Sequence, residues 1–433
     1  MVLVQFCAGG KDLSFSGNDF ESDFATLHFL YYFVYYYLHM RASFPRKIES
    51  EIKKQLGSEQ ALVVTGMRRV GKTTLMRRIY NTLKTHNKRW FDFENPLDVK
   101  KFEEIDYNHI VSNLELNKDE KMYVFIDEIQ NFTEVTRIMK YLIDHWQIKF
   151  IVTGSASYYL KNLFPESLAG RKRIFELFPL DFGEFLGFKG VANHGLADFS
   201  EKSKYVNLVE YERFSKLFNE LNDYGGFPEV VLEPDLEEKR NRLGEIFSSY
   251  YEKEIVGLSG FRKNKEVRDL ILLLAVRVGG KLDVSKISQE LGITRISLYN
   301  YLNFLKDSYF ISLIYPFSRS VDREISGRPK IYFCDSGLLR IISQVNSGQI
   351  LENTVFNLLK SYGKVNYYQR RKSEQEIDFV LNEQVGLEVK ETGTSGDLSR
   401  LGNLSQTLGL KEFYVISRKF SEKIDKVIYP QFL

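Results

Sequence analysis

The sequence predicts an α/β protein: a parallel-sheet core, then a helical region that holds a winged helix-turn-helix, then a smaller α/β domain. Three observations predict it. Residues 61–83 read as a buried strand, a glycine loop and a helix. Residues 122–128 form an apolar run that ends in two acids, Asp127 and Glu128. Residues 267–315 run helix, Gly-bearing turn, helix and strand. The segments expected are 1–44 as an atypical extension, 45–185 as the parallel-sheet core, 186–266 as a helical lid or linker, 267–329 as the winged-helix part and 330–433 as the smaller α/β domain.

Composition limits the classes open to the chain. An apolar share of 43% and a charged share of 27% are those of an ordinary globular protein. The net charge of +3 is too near zero to argue for nucleic acid from bulk electrostatics, so a nucleic-acid surface has to be a local patch. Cys7 and Cys334 lie far apart and offer neither a disulfide framework nor metal-ligand spacing. That suits a reducing compartment, and a cytoplasmic location is expected.

Residues 1–39 differ from the rest. Residues 8–19 are rich in Gly, Ser and Asp and read as loop. Leu27–Met40 is apolar and Tyr-rich, but it is shorter than the roughly 20 residues a membrane-crossing helix needs. It is no secretory signal either, since Lys11 is the one basic residue before it and no small-residue cleavage site follows. The composition break at Met40 leaves three readings: translation that starts at Met40, a packed aromatic helix, or a partner-binding segment.

The core comes next. Gly66, four further residues and then Gly71-Lys72-Thr73 fit the pattern G-x-x-x-x-G-K-[ST]. Ala61–Thr65 supplies the strand before it, and Leu75, Met76, Ile79 and Leu83 mark one face of the helix after it. Glycines let the backbone curl so that consecutive N–H groups point at phosphate oxygens, and the helix N-terminus adds a favourable field. Lys72 is expected on the β- and γ-phosphates of ATP, and Thr73 on Mg²⁺. Arg89–Phe93 reads as the second strand, with Asp92 and Glu94 at its end either facing ligand or solvated. Asp127 is expected to fix Mg²⁺ with Thr73, and Glu128 to act as general base on water. Phe150–Ser155 is a further strand, in which Thr153 and Ser155 are placed to sense the γ-phosphate or simply to form a turn at Gly154. Arg171 is the candidate cation for transition-state charge, in its own chain or across a subunit contact. The expected nucleotide-binding set is Gly66, Arg69, Gly71, Lys72, Thr73, Thr74, Asp127 and Ser155.

Gly-Met-Arg-Arg-Val-Gly-Lys-Thr, Phe-Ile-Asp-Glu-Ile-Gln, Val-Thr-Gly-Ser and Leu-Ala-Gly-Arg follow one another in this order. So arranged, they resemble the prokaryotic AAA+-superfamily ATPases that carry an uncharacterised C-terminal domain. Residues 179–186 and 225–231 resemble that group's middle signatures. The resemblance spans about 45–425 and implies ATP binding and hydrolysis. It departs at Ser155-Ala156, where two hydroxyl residues are expected.

In the middle of the chain, Val267–Val278, Ser285–Leu291 and Thr294–Lys306 read as three helices, with Thr294 as cap and Gly292 in the turn. Tyr309–Tyr315 reads as a strand, and Arg319, Arg323, Arg328 and Lys330 as a wing for phosphates. Arg295, Ser297, Tyr299, Asn300 and Asn303 spread around the third helix. It has few basic residues, which tips the reading towards a packing or protein-contact module.

Near the C-terminus, Glu352 falls on a helix-like stretch. Asp378 lies on one strand, and Glu388 and Lys390 share a face of the next. Acid, then acid-x-Lys on adjoining strands, resembles the restriction-endonuclease-like (PD-(D/E)xK) core. The resemblance implies Mg²⁺ on two carboxylates, water positioned by the lysine, and Gln406 as a helper. Three functions stay open: an ATP-driven enzyme, a DNA nuclease gated by ATP, and a nucleotide switch that only docks a protein partner or a second copy. No membrane role is expected.

Overall fold

Alternating apolar runs and glycine loops produce the main sheet. The computed structural model describes residues 44–154, 170–193, 195–196, 198–205, 207–257, 264–319, 324, 327–370, 375–421 and 424–433. The N-terminal segment up to residue 43, including Cys7 and Met40, therefore lies outside the described residues, as do Ser155 and Arg323. Five strands, β1 (Ala61–Thr65), β2 (Lys88–Asp92), β3 (Tyr123–Asp127), β4 (Lys149–Gly154) and β5 (Lys172–Glu176), form one sheet in the order β2-β3-β4-β1-β5. Every neighbouring pair in it is parallel. β1 and β4 are buried along their whole length, as in a sheet covered on both faces, and this is why they read as unbroken apolar runs. Ala61 and Val63, Val124 and Ile126, and Phe150 and Val152 build one core with Val135, Met139 and Leu142 of the helix Val135–Trp146.

The helices include α1 (Lys47–Lys54), α2 (Lys72–Thr82), α3 (Val135–Trp146), α4 (Phe182–Phe188), α5 (Leu208–Tyr224), α6 (Leu236–Tyr250), α7 (Asn264–Val276), α8 (Val284–Leu291), α9 (Arg295–Asp307), α10 (Ser336–Ile342), α11 (Ser347–Leu359) and α12 (Ser395–Leu408). Most of the described residues from 199 to 257 are helical. The signature at Gly225 is a joint. Gly225 has φ +76, and a Cβ there would come within 1.9 Å of the Asp335 carboxylate, which accepts the Gly226 N–H at 2.7 Å. Asp335 also caps α10, and Leu180 N donates to Gly226 O at 2.7 Å.

α7, α8 and α9 follow, with Gly292 in the left-handed region and Thr294 accepting the Ser297 N–H at 3.1 Å. β6 (Ile311–Ile314) then pairs antiparallel with β7 (Lys330–Phe333). The expected segment boundary after residue 329 therefore falls immediately before a strand whose partner belongs to the preceding segment.

A second five-stranded sheet is mixed. Its order is β12-β11-β10-β9-β8, with β8 (Val365–Gln369), β9 (Glu376–Leu381), β10 (Val385–Lys390), β11 (Glu412–Ser417) and β12 (Val427–Ile428). β8, β9 and β10 are successive antiparallel neighbours, and β11 lies parallel to β10. Pro316 bridges Tyr367, so the β6–β7 pair runs into the edge of this sheet. Pro45–Leu433 is one compact unit.

Candidate active site

The loop between β1 and α2 is fixed from behind. Gly66 has φ +152, and a Cβ on it would lie 2.1 Å from Leu177 O. That close approach arises because Leu177 N donates to Thr65 O at 2.7 Å. Gly71, at φ +95, and Arg69, at φ +63, complete the curl. Lys72 is buried, and its Nζ donates to Gly66 O and Met67 O at 3.0 Å each. Burial pushes the Lys72 ammonium down, while Glu128, Glu254 and Asp127 hold it up. A buried cation whose hydrogen bonds go to carbonyls of its own loop fits a phosphate ligand. Thr73 is half-buried at the start of α2, and Thr74 is exposed.

β3 delivers the acids to the same edge. Asp127 is buried, and its carboxylate accepts from the hydroxyls of Thr73 and Thr153. Burial raises its pKa; the two hydroxyls oppose this, and the nearby charges of Glu128 and Asp92 add to it. Asp92 stands beside Asp127 in register, whereas Glu94 is exposed. Glu128 takes φ +53, donates its N–H to Thr153 Oγ1 at 3.1 Å and receives the Gln130 side-chain amide. The Thr153 hydroxyl thus ties the two acids together. Thr73 with Asp127, the expected Mg²⁺ pair, are in direct contact, a donor set suited to a hard cation that keeps part of its water.

Arg171 does not join them. Its carbonyl accepts the Ala61 N–H at 2.8 Å, at the start of β1, so roughly 13 Å of strand separates it from the loop at the far end. Its guanidinium pairs with Asp144 at 2.7 Å and lines a groove of about 860 Å³ with Lys118, Lys121 and Trp146. The own-chain role expected for it is corrected on this geometry. Sequence reasoning missed Arg46, whose guanidinium reaches Glu184 at 3.0 Å, Val70 O at 2.9 Å and Phe178 O at 2.7 Å. Arg69, expected on the nucleotide, pairs with Glu229 at 3.1 Å and Glu245 at 3.4 Å.

Comparison with known proteins agrees with this geometry. Residues 58–186 match the family model described as an AAA domain, and residues 215–349 match a domain of unknown function, DUF8612. The uncharacterized protein MJ1544 of Methanocaldococcus jannaschii is 30% identical over 345 residues, covering 77% of this chain and 75% of that one. The chain belongs to the same family as MJ1544. It carries an AAA-type P-loop ATPase domain. An uncharacterized protein of Haemophilus influenzae is 27% identical over 354 residues, covering 76% of this chain and 83% of that one. Among solved structures, the Walker-type ATPase PABY2304 of Pyrococcus abyssi is similar with TM-score 0.45 and 15% identity, over 69% of this chain and 95% of that one. No helix among the described residues is long and apolar enough to cross a membrane.

Beyond the AAA domain, the four C-terminal residues singled out by the sequence share one locale. Burial and the charge of Asp378 push Glu352 up to about 7 and Glu388 up to about 6. Asp378 accepts the Val389 N–H at 2.8 Å. Lys390 lies 2.9 Å from Glu388. Cations that the sequence reading did not assign here are also present. Lys330, expected on a phosphate-binding wing, is buried and pairs with Glu376 and, at 3.5 Å, with Glu352. Arg400 meets Glu388 at 2.6 Å, and Tyr332 donates to Glu352 at 2.6 Å. Gln406 is exposed on the other side of α12 and takes no part. Among the described residues no three His, Cys, Asp or Glu side chains are grouped to hold a metal ion. Among the described wing cations, Arg328 pairs with Asp283 at 3.0 Å and Arg319 donates to Leu408 O at 2.9 Å.

Proposed function

We propose that the protein hydrolyses ATP with Mg²⁺ and couples that reaction to its winged-helix and C-terminal regions. The observation that carries this reading is the Thr73–Asp127 hydrogen bond, with Glu128 beside it, at the mouth of the glycine loop. ATP with Mg²⁺ supplies a γ-phosphoryl group whose charge the surrounding groups can stabilise. Lys72 exchanges its two loop carbonyls for phosphate oxygens. Thr73 and Asp127 hold the metal. Glu128, fixed by Gln130 and by Thr153, orients water and accepts its proton. A held general base is what a binding-only switch does not need, and this favours turnover over that alternative. Arg171, remote from its own loop, serves the nucleotide of a neighbouring copy.

Mg²⁺-dependent phosphate release tests the reading. Lys72→Ala should lose binding and turnover together, and Glu128→Gln should keep binding and lose turnover. No release from the wild-type chain under any condition, or full release from Glu128→Gln, defeats it. For Arg171, mixing Lys72→Ala with Arg171→Ala chains should restore turnover; two inactive or unaltered populations count against action between copies.

A second reading, phosphodiester cleavage at Glu352, Asp378, Glu388 and Lys390, is favoured by the common field of the three acids. The mixed sheet with helices on either side of the β8–β10 run is consistent with it. DNA cleavage in Mg²⁺ or Mn²⁺ that disappears in Asp378→Ala supports it, and cleavage unchanged in that variant removes it.

A further inference from the structure

The glycine loop carries two arginines, and both are held by acids of the helical region. Arg69 is at the surface, on Glu229 and Glu245. Arg68 is different. Its Nε donates to Glu254 Oε1 at 2.7 Å, and the side chains are 15% and 2% exposed. Glu254 lies on a π-helical segment, Tyr251–Val256, that continues α6, with Gly257 N donating to Glu252 O five residues back at 2.9 Å. Such segments are rare, and they gather at functional sites because they turn side chains away from their α-helical direction. The second oxygen of Glu254 is buried and has no hydrogen-bond partner among the described residues. A carboxylate satisfied on one side only is costly in an interior. Its field also reaches Lys72, as does that of Arg68. One poorly satisfied carboxylate is therefore faced by two cations of the loop, where an anionic ligand is expected.

We propose that Arg68 is a phosphate ligand of the nucleotide site and that Glu254 holds its guanidinium while the site is empty of nucleotide. The proposal rests on the nucleotide-site reading above. Phosphate oxygens offer the guanidinium a planar, two-pronged partner that carries more charge than one carboxylate. When Arg68 turns to them, Glu254 is left buried without its cation and beside further negative charge. It then leaves the pocket, and the π-helical segment and α6 shift with it. Binding of ATP is thereby felt in the helical region through one exchanged ion pair.

The test uses the full chain carrying Glu128→Gln, so that ATP is not consumed, and fluorescent Mg²⁺·ATP and Mg²⁺·ADP analogues as probes. Arg68→Ala should weaken ATP binding by about 10- to 100-fold, the loss of one or two charge-assisted hydrogen bonds. Glu254→Gln, which keeps shape and removes the competing charge, should tighten ATP binding by about tenfold. The double variant should bind no better than Arg68→Ala alone. If the parent chain binds ATP in a Lys72-dependent way and Glu254→Gln leaves affinity equal or weaker, the exchange is overturned. If the parent chain binds no nucleotide, the site reading itself falls and the exchange with it. Should Arg68→Ala fail to fold, the near-isosteric Glu254→Gln decides alone.

Discussion

Arg46→Ala is the sharpest test of how the glycine loop is held. Arg46 precedes α1, and its side chain is 6% exposed. One guanidinium satisfies the carboxylate of Glu184 on α4 and two carbonyls, Val70 O inside the loop and Phe178 O after β5. Truncation leaves a buried carboxylate, 8% exposed, without this cation. Glu184 still accepts the Lys47 N–H at 2.8 Å, so the loss is partial. Breaking a buried pair from one side costs about 3–5 kcal/mol. For a unit of about 390 residues the unfolding entropy is about 0.8 kcal/mol per degree, so the melting temperature should fall by about 4–6 °C. Arg46→Lys should recover less than half, because an ammonium cannot reach three acceptors set in a fork. ATP affinity should fall as well, since Val70 O loses the donor that fixes the loop's curl. Thermal unfolding followed by circular dichroism, with a nucleotide titration on the same samples, reads both. A drop of less than 1 °C with unchanged affinity refutes the argument.

Two further outcomes follow from the same geometry. Gly66→Ala places a Cβ 2.1 Å from Leu177 O at a φ of +152, so it should cost about 2–4 kcal/mol in denaturant unfolding, against almost nothing for Gly57→Ala, where no atom lies within 4 Å. Glu352 has its folded-state pKa raised from 4.5 to about 7, chiefly by burial and Asp378. The native state therefore binds the extra proton between those values. Stability is full below about pH 4.5 and falls as pH rises through 7. Glu352→Gln keeps the acceptor for Tyr332 and should flatten that part of the urea-stability profile; an unchanged slope from pH 5 to 8 contradicts the assignment.

What the sequence made legible depended on how local the cause was. β1, β3 and β4 are buried on both faces, so burial wrote itself into unbroken apolar runs. Thr73 and Asp127 were legible because each is fixed at the end of such a strand or at the loop that leaves it. The end of the sheet on which Arg171 falls was not, because its motif gives no direction and β5, with Lys172, Arg173 and Glu176 on it, lacks an apolar run. Arg46 belongs to no motif at all; its three partners come from distant parts of the chain. On α12 the phase of the helix held the answer. Leu401, Leu404 and Ser405 face the sheet, and Arg400 flanks that face within reach of Glu388, whereas Gln406 points away from it. Apolar spacing would have favoured Arg400 over Gln406.

The loop is also where the two halves of the chain meet. Met67 Sδ lies 3.4 Å from Cys334 Sγ, both buried, directly after β7. Cys334 N donates to Phe310 O at 3.0 Å, and Phe310 stacks on Tyr250 at 4.4 Å, at the point where α6 passes into the π-helical segment bearing Glu254. The loop is therefore touched by β7 through Met67 and by the end of α6 through Arg68, and those two contacts are themselves packed together through Phe310. Interiors are close-packed, so a change in the loop's backbone has to be shared by these neighbours. A loop built this way is not a separate module set on the helical and C-terminal regions. Its back wall is made of them, so residues 215–349, matched as a domain of unknown function, cannot be lifted from the AAA domain without exposing the loop.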